Sequence, residues 1–261
     1  MSKTIERLRK RGRALLYALA AFAAAAMPAA AQAPAPGHLA RKEVSVALVL
    51  ALDTSFSVSN GRFELQKEGY AAAFRNPQVL SAIRSLSTQS IAVTMFQWTG
   101  PLLHVVVAEW ALIDDQASAN AFADTIAAAP RRLFRGGTSI SGAIDYSRVL
   151  LAQSPFHGAR RIIDISGDGS NNSGRPVTVA RDQAVADGIS INGLPILTVE
   201  PGLDRYYYDN VIGGSGSFMI PAQNYDTFAD AILKKLISEI AMIPKNAGQT
   251  SNPLAARRGG G

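Results

Sequence analysis

Apolar positions along the chain fall into short continuous runs, separated by segments with helical spacing. Residues 43–52, EVSVALVLAL, are nearly all apolar, the pattern of a strand covered on both faces. Helical spacing follows over 61–76, GRFELQKEGYAAAFRN, and stops at Pro77; a short helix, QVLSAIRSL, comes next. SIAVTMFQW (90–98) and LHVVVAEWAL (103–112) read as strands joined by a hairpin-like turn at Thr99-Gly100-Pro101. Helices are predicted over 114–129, ended by Pro130, and over 139–153. A strand is predicted at 159–167, and a helix at 176–188 with Pro176 at its start and Gly188 at its end. Strands at 189–197 and 216–221 and an amphipathic helix at 225–241 close the pattern.

This alternation predicts one α/β domain of three layers, Rossmann-like, with a mainly parallel central sheet and helices on both faces. The hairpin at 99–101 makes one edge strand antiparallel. In such sheets ligands bind beyond the carboxyl ends of the strands.

The two ends of the chain differ from its middle. Residues 1–31 run from a basic segment through an apolar stretch (Ala14 to Met27) to small residues, the order of a secretory signal peptide. Ala29-Ala30-Ala31 offers the cleavage site, and the apolar stretch is short for a membrane span. Residues 32–42 read as a Pro/Ala linker, 43–243 as the domain and 244–261 as a disordered tail. The expected protein is therefore secreted or periplasmic, with no stable membrane span after cleavage.

Charge then changes meaning. The formal net charge is +6, from 26 basic and 20 acidic side chains. Residues 1–31 hold six of the basic and one of the acidic ones, which leaves 20 against 19, a net of +1. The basic character belongs to the leader, so no nucleic-acid partner is indicated. There is no cysteine, hence no disulfide framework and no thiol for lipid attachment.

Three segments expected at the same sheet edge carry candidate chemistry. The stretch VLALDTSFSVSN (49–60) ends an apolar strand on Asp53, Ser55 and Ser57, at every second position. The stretch FRGGTSISGAIDYS places Thr138 after Gly136-Gly137, at the start of a predicted helix. IDISGDGSNN places Asp168 directly after a strand. Two carboxylates and three hydroxyls form an oxygen-only set suited to a hard cation: Mg²⁺ first, Mn²⁺ or Ca²⁺ as alternatives. Taken singly, each segment has a plainer reading, since Asp, Ser and Thr at such positions cap helices and form turns.

D-x-S-x-S, then Gly-Gly-Thr, then Asp-Gly after a hydrophobic strand resembles the metal-ion-dependent adhesion site of von Willebrand factor type A domains. The likeness covers about Val44 to Ala241. SGDGSNN, YYYDNVIGGSGSF and the YDTFADAILKKL helix also resemble a narrower group of exported bacterial proteins with this domain. The resemblance implies the von Willebrand factor A fold, with Ser55 and Ser57 as direct ligands and Thr138 direct or water-bridged according to state. Asp53 and Asp168 would act through water. Gly167 departs from the many relatives that have threonine there; the change removes an outer hydroxyl but no ligand. A cation held mainly by neutral hydroxyls keeps an open position for a carboxylate of another molecule. The implied function is cation-dependent binding of a protein partner that offers an acidic side chain, and not catalysis. A metal-dependent hydrolase, and an assembly protein whose cation only staples loops, are the alternatives; no well-placed His or Glu base is evident in the sequence.

Other features read more plainly. His38, His104 and His157 form no metal or triad spacing. Gly213-Gly214-Ser215-Gly216 does not open a helix after a strand and is read as a turn. Arg131, Arg132 and Arg135 flank the Gly-Gly-Thr loop as a basic rim or a solvated loop. Of Tyr206-Tyr207-Tyr208 at least one ring should enter the core, and Phe56 is either an exposed contact beside the site or a buried anchor.

Overall fold

A computed structural model gives the fold and describes residues 41–242. The expected signal peptide, the tail and all of the linker before Arg41 lie outside the described residues.

The elements in order are β1 (Lys42–Asp53), α1 (Asn60–Arg75), α2 (Pro77–Arg84), β2 (Ile91–Trp98), β3 (His104–Ile113), α3 (Gln116–Ala128) and α4 (Ile140–Gln153). β4 (Phe156–Gly167), α5 (Val177–Ala186), β5 (Ile189–Pro195), α6 (Leu203–Tyr206, continued as a π-helical turn over Tyr207–Val211) and α7 (Phe228–Ala241) follow. The five strands lie in the order β3-β2-β1-β4-β5. β1 pairs in parallel with β2 and β4, β4 with β5, and β3 runs antiparallel at one edge.

β1 is nearly all apolar from Val44 to Leu52 because it sits in the middle, with a strand on each side and helices above and below. Its alternate side chains feed two separate cores, as the two-residue period of a strand requires. Val46, Leu48, Leu50 and Leu52 pack with Tyr70 and Phe74 of α1, Phe122 of α3 and Ile232 and Leu236 of α7. Ala47, Val49 and Ala51 pack with Ile140 and Ile144 of α4, Ala180 of α5 and Tyr207. The three layers and the antiparallel edge strand are as the sequence pattern predicts.

From β1 the chain moves to β2 and β3 on one side, then crosses to β4 and β5 on the other. The carboxyl ends of β1 and β4 therefore flank a topological switch point, where such sheets bind ligands. Leu52 pairs with Ser166 there, and Asp53 with Trp98.

Two expectations need correction. Residues 216–221 form no strand; Met219 and Ala222 make only single bridges, to Gly193 and Ile196. Gly214 and Gly216 have positive φ, the Phe218 N–H donates to the Asn192 side chain at 3.0 Å, and Pro221 has no N–H to offer a ladder. The closing helix begins at Phe228 and not at 225. Asn224 and Thr227 exchange side-chain and backbone hydrogen bonds and hold Tyr225 in a turn before it.

Candidate metal site

Asp53 ends β1 fully buried, and its Oδ1 accepts the Ser55 N–H at 2.7 Å. This Asx-type bond turns the chain out of the strand, so the hydroxyls of Ser55 and Ser57 come together at 3.2 Å. Ser57 Oγ donates to Asp168 Oδ1. Asp168, also fully buried, follows β4, so four of the five candidates meet through hydrogen bonds at the ends of two adjacent strands.

Thr138 arrives from a third segment. Its neighbour Ser139 donates its N–H to the Thr99 carbonyl at 2.8 Å, at the end of β2. The Thr138 N–H donates to Asn172 Oδ1 at 2.8 Å, and the Asn172 N–H returns to the Thr138 carbonyl at 2.9 Å. A Cβ built on Gly169 would lie 3.6 Å from Thr138 Oγ1, so the hydroxyl stands beside the turn that follows Asp168. Gly136 has φ 134°, and a Cβ there would lie 2.6 Å from Thr99 Oγ1; both the angle and the space call for glycine.

The plainer capping roles fall to other residues. Ser59 caps α1, accepting from the Arg62 N–H, and Ser139 caps α4, accepting from the Gly142 N–H. The hydroxyls of Ser55, Ser57 and Thr138 are not used as helix caps.

Electrostatics mark the site as incomplete on its own. Burial, and then the neighbouring Asp168, push the Asp53 carboxyl up to about 7. Asp53 Oδ2 has no hydrogen-bond partner among the described residues. A buried carboxyl short of a donor, a second carboxylate beside it and converging hydroxyls fit a hard divalent cation. Among the described residues no three or more His, Cys, Asp or Glu side chains gather as a metal cluster, which leaves this hydroxyl-rich set as the candidate.

Several neighbours escape a motif reading. Tyr225 donates its hydroxyl to Asp168 Oδ2 at 2.8 Å. Burial and Asp168 hold its phenol in the protonated form. Arg62 stands 3.5 Å from the same oxygen, donates to the Ser57 carbonyl at 2.9 Å and lies over the Tyr225 ring. Tyr225 comes from a segment distant in sequence, while Arg62 stands on the first turn of α1, five residues after Ser57; only the fold brings the two together at Asp168. Glu200, part-exposed, accepts the Ser170 N–H at 2.7 Å beside the site, so a glutamate is present where the sequence offered no sign of one.

The remaining candidates resolve as follows. Arg131 braces the first loop, donating to the Thr54 carbonyl at 3.1 Å and to Asn60 Oδ1 at 3.0 Å, while Arg132 and Arg135 are exposed. Tyr207 is buried and Tyr208 exposed. Phe56 is 82% exposed, an outward contact and not an anchor. Gly167 has a reason of its own: a Cβ there would lie 2.9 Å from the Tyr207 hydroxyl and 3.0 Å from Asp53 Oδ2. His104 stacks on Tyr146, and His157 meets Glu43 at the surface.

Comparison with known proteins places the chain. A von Willebrand factor type A protein from Catenulispora acidiphila superposes with TM-score 0.54 at 16% identity, over 76% of this chain and 43% of that one. The pilus adhesin SpaC from Lactobacillus rhamnosus GG, in its open conformation, gives 0.54 at 14% identity, over 76% and 30%. Proximal thread matrix protein 1 from the mussel byssus, with a zinc-occupied MIDAS motif, gives 0.53 at 13%, over 77% and 47%. The chain spans less than half the length of each, and at such identities the likeness is one of fold. No curated protein sequence matches it. Residues 43–244 match the family described as "Protein of unknown function (DUF1194)". The chain has a von Willebrand factor A fold and belongs to that family.

Proposed function

We propose that this chain is an exported module that binds a protein partner through a divalent cation, held by Ser55, Ser57 and Thr138 with Asp53 and Asp168 behind them. One observation carries the reading: the buried Asp53 carboxyl, with an unpartnered oxygen, lies within a cluster that also holds Asp168 and converging hydroxyls at the switch point of the sheet. An all-oxygen set suits Mg²⁺, Mn²⁺ or Ca²⁺; Mg²⁺ is the ion we assign first, because it readily keeps the waters that a few neutral hydroxyl ligands leave in place.

When bound, such a cation supplies a coordination position at which a carboxylate from another molecule can replace water. The chain's own residues prepare for that exchange. Asp53 orients the first loop through the Ser55 N–H. Tyr225 and Arg62 fix the Asp168 carboxylate. Around them Phe56, Phe134 and the turn residue Leu102 are exposed, which gives a partner apolar contacts beside its acidic anchor. The zinc-occupied motif of the byssus protein and the adhesin identity of SpaC support a cation and a partner here. The basic-apolar-small order of residues 1–31 supports export.

The test is capture from the organism's own envelope extract on immobilised protein. Retention of a partner in Mg²⁺, its release by EDTA and its absence with Ser57→Ala support the reading. Retention that neither EDTA nor Ser57→Ala alters contradicts it.

A further inference from the structure

On the sheet face covered by α7, a second polar cluster is sealed in the core. Lys235 and Glu239, one turn apart on α7, are 0% and 1% exposed; Asp164 of β4 is 0% and Asn192 of β5 is 2%. Lys235 Nζ lies 2.6 Å from Asp164 Oδ1 and 2.5 Å from Glu239 Oε1. Asn192 Nδ2 donates to Glu239 Oε1 at 2.9 Å, and the Phe218 ring centroid is 6.0 Å from Nζ.

As ions these three groups make a poor core. Two carboxylates face one ammonium with no water between them, and desolvation penalises every charge. Although Nζ is close to Asp164 Oδ1, neither oxygen of Asp164 receives a well-aligned hydrogen bond, and Glu239 Oε2 has none. Burial pushes the Asp164 carboxyl up to about 7, with Lys235 opposing the shift and Glu239 adding to it. A buried amine and carboxyl held in contact are positioned for condensation, since the orientation that a bimolecular reaction must find is already fixed.

We propose that Lys235 and Asp164 are joined by an intramolecular amide bond, formed in the folded chain with Glu239 as the proton carrier. Glu239 Oε1 takes a proton from the Lys235 ammonium and frees its lone pair. Nζ attacks Asp164 Cγ and the N–C bond forms; Glu239 passes the first proton to one Asp164 oxygen, takes a second from Nζ and delivers it to the same oxygen as the C–O bond breaks. The released water contains one Asp164 oxygen and two hydrogens from Nζ. No electrons are transferred, no co-reactant is needed, and Glu239 ends as it began. One positive and one negative buried charge disappear together. A cavity of about 180 Å³, lined in part by Glu239, Asn192, Phe218 and Met242, gives the water a way out. The bond ties the closing helix α7 to β4, an interior strand of the sheet.

The experiment is mass spectrometry of the purified, fully denatured protein, followed by tandem analysis of its proteolytic peptides. The expected wild-type mass is one water below that of the linear sequence with the same N-terminus. A branched peptide should join Lys235 to Asp164. Glu239→Gln should return the full mass, with both residues on linear peptides. Wild-type protein at full mass overturns the proposal, and so does a water loss that maps to a cyclic imide within one peptide. A folded Glu239→Gln variant that closes the bond as fast as wild type overturns the role of Glu239. The wild-type measurement stands whether or not the variant folds.

Discussion

The Tyr225 hydroxyl donates to Asp168 Oδ2 at 2.8 Å, and so ties the turn before the closing helix to the carboxylate at the end of β4. The bond exists because α7 starts three residues later than its apolar pattern suggests, which leaves Tyr225 outside the helix. Asp168 thereby receives donors on both oxygens, from Ser57 and from Tyr225.

Tyr225→Phe keeps the ring, and with it the packing against Arg62, but removes that donor. Loss of a partner that orients a metal-site carboxylate costs ~10–100-fold in affinity. Isothermal titration with Mg²⁺ or Mn²⁺ should show weaker binding of about this size, with the fold intact by circular dichroism. Unchanged affinity would remove Tyr225 from the site.

Gly167→Ala should cost stability and not merely alter the site. The added methyl meets the Tyr207 hydroxyl, Asp53 Oδ2 and Trp98 Cζ2 at 2.9, 3.0 and 3.4 Å, all on buried side chains. Overpacking of this kind typically costs about 1–3 kcal/mol. Urea unfolding should show a lower midpoint at an unchanged slope.

Phe56→Ala separates binding from folding. The ring is 82% exposed, so its removal should change stability by less than about 0.5 kcal/mol. If it lies against the partner, retention in the capture experiment should fall by ~10-fold, about 1.4 kcal/mol, at unchanged cation affinity. Equal retention by wild type and variant would place the contact elsewhere.

The fold was legible because the β1 run is nearly all apolar and short, and the segments around it alternate between strand-like and helical spacing with Gly and Pro at their ends. The grouping of the candidate residues was legible where it is local: Asp53, Ser55 and Ser57 lie on one loop, and Asp168 follows a strand end. Tyr225 was not, because it reaches Asp168 from a remote segment through the fold alone; Arg62 follows the first loop closely, but its approach to Asp168 belongs to no local pattern. The segment 216–221 misled because its apolar residues suit a strand, while its glycines and Pro221 deny it a ladder. The cluster of Lys235, Asp164 and Glu239 was hidden differently: a lysine and a glutamate four apart on a helix read as a solvent-facing pair.

The most direct test of a cation held by Asp53, Ser55, Ser57, Thr138 and Asp168 is the melting temperature with and without the ion. A ligand that binds only the native loops, at ~100 times its dissociation constant, adds roughly 2.7 kcal/mol. For a domain of this size that is an upward shift of roughly 5–10 °C. Wild type in Mg²⁺ should therefore melt that far above wild type in EDTA, whereas Asp53→Ala should melt at one temperature in both buffers. An Asp53→Ala protein that keeps the full Mg²⁺-dependent shift, or a wild type that shows none with any of the three ions, would contradict the account.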